Sequence, residues 1–285
     1  MASNRELYFE LKKLVPMKLN DSAIKLILLD INGFASFSEL VKHFDEQAKD
    51  LDRYQEIISR VMAGVPIQYA LGHAPFLELD LIVTPDVLIP RPETEELVLF
   101  AEKIINKEYL GQREIKIADI GTGSGAIAIF LNKRIFKSTV FASDISSKVL
   151  AVAKENAIKN DSKITFYEGN MLIPFLQEKI KLDVIISNPP YIEDETTIDD
   201  NVFLNEPHLA LLAKPASQYY EEIFKNVHAV MKKVILLFFE IGENMEEVLT
   251  LLIKKYLPLA DYEFHKDIYG KTRFLYIRND TYEQE

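Results

Sequence analysis

Asn188, Pro189, Pro190 and Tyr191 follow the apolar run Val184-Ile185-Ile186 with only Ser187 between them. These residue types suit one reaction, methylation of a planar amide-like nitrogen. Such a nitrogen has its lone pair delocalised and attacks a methyl sulfonium poorly until hydrogen-bond acceptors localise that pair. The Asn188 side-chain carbonyl and the Pro189 backbone carbonyl can each accept one N–H of the target and so aim its lone pair at a methyl carbon. Two prolines in a row have no N–H to offer and hold φ near about −65°, which keeps the acceptors still. Tyr191 then supplies a flat ring for a planar amide or base to stack on. An isolated Asn-Pro-Pro can merely turn a chain after a strand; a glycine-rich turn upstream favours the chemical reading.

That turn is Asp119-Ile120-Gly121-Thr122-Gly123-Ser124-Gly125, entered from an apolar strand (Ile115, Ile117, Ile120) and left through the helical Ala126-Ile127-Ala128-Ile129. Strand, glycine turn and helix in this order cradle a ligand. The spacing is Gly-x-Gly-x-Gly, not the dinucleotide Gly-x-Gly-x-x-Gly. Asp119, just before the turn, would repel a pyrophosphate and suits a cationic sulfonium amino acid. A second strand, Thr139-Val140-Phe141-Ala142, ends at Asp144, which is placed to accept hydrogen bonds from a ribose diol. A plain Rossmann oxidoreductase is the competing reading, and nothing downstream resembles a hydride-transfer site.

The elements that must position these residues fall into two regimes. The chain has 285 residues with 48% hydrophobic content, enough for a large core and two domains. Residues 1–72 show helical stripes: Leu7, Leu11, Leu14; Ile24, Ile27, Leu28, Ile31, closed by Gly33; and Tyr54, Ile57, Ile58, Val61, Met62, closed by Gly64. Ser36 and Glu39 form a capping-box pattern. This predicts a small helical domain. Residues 73–92 alternate through Phe76, Leu77, Leu79, Leu81 and Val83, then Val87, Leu88 and Ile89, which predicts a linking β-hairpin. Arg91-Pro92-Glu93 reads as a helix start.

Residues 93–285 alternate strand and helix, predicting an α/β doubly wound, Rossmann-like sheet with ligands at the carboxyl ends of its strands. Two closing strands, 261–267 and 272–278, have no helix between them, so the last strand is predicted to run antiparallel.

Composition excludes several classes. The absence of cysteine removes disulfides, thiolate metal sites and cysteine nucleophiles. His208 and His265 lack a paired-ligand pattern, so no metal is expected. The longest apolar runs, such as Val234 to Phe239, are too short to span a bilayer, and the N-terminus lacks a charged start with an apolar core and cleavage site. A cytoplasmic protein without membrane association is expected. The net charge of −11 and pI near 5.1 argue against a long grip on a phosphate backbone, so no stable nucleic-acid binding is expected. The acidic run Glu193, Asp194, Glu195, Asp199, Asp200 reads as a solvated loop beside the pocket.

Six segments carry a more specific resemblance: Pro66 to Gly72, Leu88 to Glu95, the GTGSGAIA stretch from Gly121, Ser187 to Ile192, Glu206 to Leu211, and Lys266 to Arg273. Over nearly its whole length the chain resembles the HemK/PrmC family, the peptide chain release factor N(5)-glutamine methyltransferases. The resemblance implies S-adenosylmethionine as donor, with S-adenosylhomocysteine as product. The implied acceptor is the glutamine of the Gly-Gly-Gln motif in class I release factors, which places the activity in translation termination. It also implies that the helical domain docks the release factor, and a monomer is expected.

Residue by residue, the resemblance implies that Gly121, Thr122, Gly123, Ser124 and Gly125 wrap the methionine part of the donor and that Asp144 holds the ribose. Met171 falls at the family's donor-contacting position after the third strand, with Asn170 where an acid is common. Asn188 is implied to touch donor and substrate, and Pro189, Pro190 and Tyr191 to form the glutamine pocket. After Glu206-Pro207 the family's glycine-containing stretch is replaced by Leu211 to Ala216.

Two rivals come from other classes. A DNA N(6)-adenine methyltransferase would share Asn-Pro-Pro-Tyr but needs a basic recognition region, whereas the first 75 residues hold roughly equal acids and bases. A non-catalytic binding protein on the same fold would be expected to lack part of the loop or of the tetrapeptide. Both are intact here.

Overall fold

The structure, a computed structural model, describes residues 2–14, 19–109 and 114–280. Residues 1, 15–18, 110–113 and 281–285 of the domains expected at 1–72 and 93–285 lie outside the described residues. The chain divides into two units, one made of residues 1–73 with 200–205, the other of 74–199 with 206–285.

In the smaller unit the helical stripes become α1 (Asn4–Lys12), α2 (Asp21–Asn32), α3 (Phe37–Lys42), α4 (Leu51–Met62) and α5 (Ile67–Leu71). Ser3 starts α1 with a full capping box, and Gly33, at φ 65°, ends α2 in the left-handed conformation that an L side chain resists. Leu7, Leu11, Ile24, Ile27, Leu28, Tyr54 and Ile57 close on one another as its core. Asn4 and Asn32 are buried among them and satisfied, Asn32 Nδ2 donating to Asn4 Oδ1 at 2.8 Å.

The chain continues with a hairpin, β1 (His73–Phe76) and β2 (Leu79–Ile82), and then α6 (Pro92–Glu108). The hairpin is shorter than the alternation predicted. Thr84-Pro85-Asp86 turns the chain, with Val87 N–H donating to Thr84 O at 3.0 Å, and Val87, Leu88 and Ile89 form no strand. Pro85 and Pro90 lack the N–H that a ladder needs on either side of them.

Strand and helix then alternate through β3 (Ile115–Ile120), α7 (Ala126–Arg134), β4 (Ser138–Asp144), α8 (Ser147–Lys159), β5 (Ile164–Glu168), α9 (Ile173–Gln177) and β6 (Leu182–Ser187). After β6 the chain passes through α10 (Asp200–Asn205), which belongs to the helical unit. It returns for α11 (Gln218–Val230), β7 (Met231–Glu240), α12 (Glu246–Tyr256), β8 (Asp261–Lys266) and β9 (Thr272–Asp280).

The seven-stranded sheet runs β5-β4-β3-β6-β7-β9-β8. β3, β4, β5, β6 and β7 pair in parallel, and β9 inserts antiparallel between β7 and β8. This is the predicted doubly wound, Rossmann-like sheet, antiparallel last strand included. Its central strands are buried on both faces, which explains apolar runs such as Val184-Ile185-Ile186 in β6 and Val234 to Phe239 in β7. The chain order reverses beside β3, so the carboxyl ends of β3, β4 and β6 bring Gly121, Asp144 and Asn188 to the crevice where such sheets bind ligands.

Candidate active site

A cavity of about 310 Å³ opens at those strand ends. Gly121, Thr122, Gly123 and Ser124 form one wall, Asp144 and Met171 a second, and Asn188, Pro189 and Pro190 a third. Nine of the sequence-derived site residues therefore share one space. Gly125 and Tyr191 do not line it.

The glycine turn follows from backbone geometry. Gly121 and Gly123 sit at φ 71° and 55°, and a Cβ on either would meet nothing within 4 Å, so the turn leaves open room on the ligand side. Gly125 has a different task. At φ 85°, its missing Cβ would lie 3.3 Å from Ala153 Cβ, so α7 packs directly on α8 there.

Asp119 departs from its expected place facing a sulfonium. It is fully buried beneath the loop, where Oδ2 accepts from the Thr122 hydroxyl at 2.6 Å and from Ala128 N–H at 3.2 Å. Its Oδ1 has no partner among the described residues. Burial pushes its pKa up to about 7. Asp119 thus holds the loop from behind and does not line the cavity.

Asp144, at the end of β4, does face the cavity. Its Oδ2 accepts from Gly123 N–H at 3.2 Å and its Oδ1 from Ser146 N–H at 3.1 Å. Each oxygen keeps a second lone pair for a ligand. Burial raises this carboxyl's pKa, while the N–H groups of Ser146 and Gly123 oppose the shift. Beside it, Met171 sits at φ 44°, an uncommon conformation for a residue with a Cβ.

The third wall is braced by groups that sequence reasoning missed. Ser187 Oγ donates to Ile120 O at 2.6 Å and ties the end of β6 to β3. Asn188 Nδ2 donates to Thr94 Oγ1 at 3.1 Å, and the Thr94 hydroxyl donates to Glu240 Oε2 at 2.7 Å. Tyr191 also turns to Glu240, donating to Oε1 at 3.1 Å, and its ring packs close to Gly242, where a Cβ would come within 3.0 Å of it. The expected stacking ring is thus partly buried against the core of the larger unit. Burial, and then the Glu240 charge, hold the Tyr191 hydroxyl protonated by raising its pKa. Burial likewise raises that of Glu240. Thr94 lies within a segment legible only as a helix start, and Glu240 is an acid closing an apolar strand; neither carried a sequence signal of its own.

Arg91 borders the cavity and reaches Glu206 Oε1 at 2.6 Å, while Ile89 N–H donates to Glu206 Oε2 at 3.3 Å. Glu206 is buried, so this pair fixes the wall formed by residues 85–91.

Fold and cavity define a methyltransferase: residues 99–206 match the family model described as Methyltransferase small domain. A methyltransferase from Pyrococcus furiosus has the same fold, with a TM-score of 0.50 at 18% identity over 78% of this chain and 96% of that one. So does the 16S rRNA N2 G1207 methyltransferase of T. thermophilus, with a TM-score of 0.51 at 14% identity over 74% of this chain and 50% of that one.

Closer relatives are found among release factor glutamine methyltransferases. That of Bacillus anthracis is 38% identical over 226 residues, 78% of this chain and 80% of the relative. That of Bacillus subtilis (strain 168) is 36% identical over 258 residues, 89% of each. The chain belongs to the release factor glutamine methyltransferase family. No helix among the described residues is long and apolar enough to cross a membrane.

Proposed function

We propose that this enzyme transfers a methyl group from S-adenosylmethionine to the side-chain amide nitrogen of the glutamine in the Gly-Gly-Gln motif of class I release factors. The observation that carries the reading is the meeting of Asn188 and Pro189 with the glycine turn and Asp144 around one cavity. The residues present fit the donor. Gly121 and Gly123 leave room beside their backbone for its amino-acid part, the free lone pairs of Asp144 suit the ribose diol, and Ile145 and Val149 offer an apolar border for the adenine. When bound, S-adenosylmethionine supplies a methyl group on a positively charged sulfur.

The protein's own part is orientation. Asn188 Oδ1 and the Pro189 carbonyl accept the two N–H groups of the glutamine amide, which draws its lone pair out of conjugation and toward the methyl carbon. Pro189 and Pro190 keep these acceptors rigid. Once methylated, the nitrogen loses one proton to water, and no general base is required. The helical unit docks the release factor and presents the glutamine.

Incubating the purified enzyme with a release factor and S-adenosylmethionine is expected to add one methyl group, located on the Gly-Gly-Gln peptide by mass spectrometry. Asn188→Ala should lower kcat by a factor on the order of 10²–10³. Near-normal kcat in that variant at saturating donor and substrate would sink the acceptor role.

A further inference from the structure

We infer that Glu240, acting through Thr94, fixes which way round the Asn188 carboxamide sits; both are positioning residues, and the inference rests on the acceptor role proposed for Asn188. Glu240 is fully buried at the end of β7, and both its carboxylate oxygens are engaged by hydroxyls, Thr94 at 2.7 Å and Tyr191 at 3.1 Å. Its backbone carbonyl accepts a third, from Tyr220 at 2.7 Å. Burial raises the pKa of Glu240, but the Thr94 and Tyr191 hydroxyls donating to its two oxygens and the Arg273 charge oppose that shift, and in this arrangement Glu240 acts as a carboxylate, with no hydrogen to give. The single hydrogen of the Thr94 hydroxyl is therefore committed to Glu240, and toward Asn188 the hydroxyl offers only a lone pair.

A lone pair can be met by the NH₂ end of a carboxamide and not by its oxygen. Asn188 Nδ2 lies 3.1 Å from Thr94 Oγ1, so Oδ1 is turned away from Thr94. No donor among the described residues reaches Oδ1. Reversing the carboxamide would set Oδ1 against the Thr94 lone pair and present NH₂ to the substrate. Two N–H groups would then face the two N–H groups of the glutamine. Thr94 borders the cavity, but the group that sets the polarity lies outside it.

The full-length enzyme tests this with two readouts. The first is the side-chain amide resonance of Asn188 in ¹⁵N-labelled protein, assigned by its loss in Asn188→Ala. In the wild type its protons are expected to exchange slowly, and in Thr94→Val and Glu240→Met to lose that protection. The second is kcat at saturating donor and release factor, expected to fall by about tenfold or more in both variants. Thr94→Ser keeps the hydroxyl and should recover kcat to within about threefold of wild type. Donor affinity, measured alongside by calorimetry because Asn188 and Thr94 border the cavity, should fall by much less than kcat, which a general loosening of the site would not allow.

A wild-type Asn188 amide that exchanges like a free one, or full kcat in folded Thr94→Val or Glu240→Met, overturns the inference. Failure of the underlying reading looks different. Wild-type enzyme that leaves the glutamine unmodified, or Asn188→Ala with normal kcat, removes the acceptor role. Where one variant does not fold, the amide resonance in the other and in Thr94→Ser decides the relay: protection kept in folded Thr94→Val or Glu240→Met overturns it.

Discussion

At the scale of single residues, two carboxylates that both hold the glycine turn do opposite work. Asp144 is braced by two backbone N–H groups and faces the cavity, so its remaining lone pairs are preorganised for a diol. A hydrogen bond to a charged group contributes about 1.5–3 kcal/mol. Asp144→Ala is therefore expected to weaken S-adenosylmethionine at least about tenfold in titration calorimetry; unchanged affinity in folded protein would remove Asp144 from the donor site.

Asp119 faces the interior, one oxygen unpartnered, with its pKa raised from 3.8 to about 7 by burial. Between those values the unfolded chain has released this proton and the folded chain still holds it. Stability should therefore fall as pH rises across that window, on the order of 1 kcal/mol per pH unit. Asp119→Asn removes this slope while keeping an oxygen for Thr122 and Ala128. Its melting temperature relative to wild type is expected to climb from pH 4 to 7, and a difference that is flat with pH would refute the assignment.

At the scale of elements, a fully buried side chain on α8 joins the hairpin to the glycine turn. Asn156 Oδ1 accepts from Ile82 N–H at 2.6 Å, and its Nδ2 donates to Ile82 O and to Ser124 O, both at 2.9 Å. Asn156→Ala removes the partner of three backbone groups, the buried Ser124 carbonyl and the half-buried N–H and C=O of Ile82. The expected loss is at least about 2 kcal/mol in denaturant unfolding, with weaker donor binding because Ser124 is released. A variant as stable as wild type would show that water replaces the amide.

The two closing strands, expected at 261–267 and 272–278, lie at Asp261–Lys266 and Thr272–Asp280, and the strands and long helices of this unit follow the predicted alternation. The short helices α9 and α10 do not, because five or six residues carry too little periodicity to declare a helix.

At the scale of the whole molecule, the path of the chain matters more than its domain order. After Asn-Pro-Pro-Tyr the backbone enters the helical unit as α10, where Asn205 Nδ2 donates to Gly64 O at 3.2 Å, and returns at Glu206, the partner of Arg91. Pro207, Leu209 and Ala210 then border the cavity. A docking role for the helical unit predicts that deleting residues 1–70 changes donor affinity by less than about threefold. The same deletion should lower kcat/KM for an intact release factor more than about tenfold, and for a short Gly-Gly-Gln peptide far less. Equal losses on factor and peptide would mean that the unit supports the site and does not recruit the substrate.

The sequence by itself determined the chemistry's raw materials and the order of the sheet elements. Glycine spacing, the acid ending β4, consecutive prolines after β6 and the missing helix before β9 are local facts that backbone sterics convert directly into structure. The tertiary fold decided which groups face the ligand. It buried Asp119 beneath the glycine turn, tied Tyr191 to Glu240, packed Gly125 against α8, and gave residues 200–205 to the helical unit. It also assembled Glu240, Thr94 and Asn188 from three distant stretches of chain. Direction of this kind is set by what packs behind each side chain and by where buried donors find acceptors. Those partners lie far apart in sequence, so no local pattern records them.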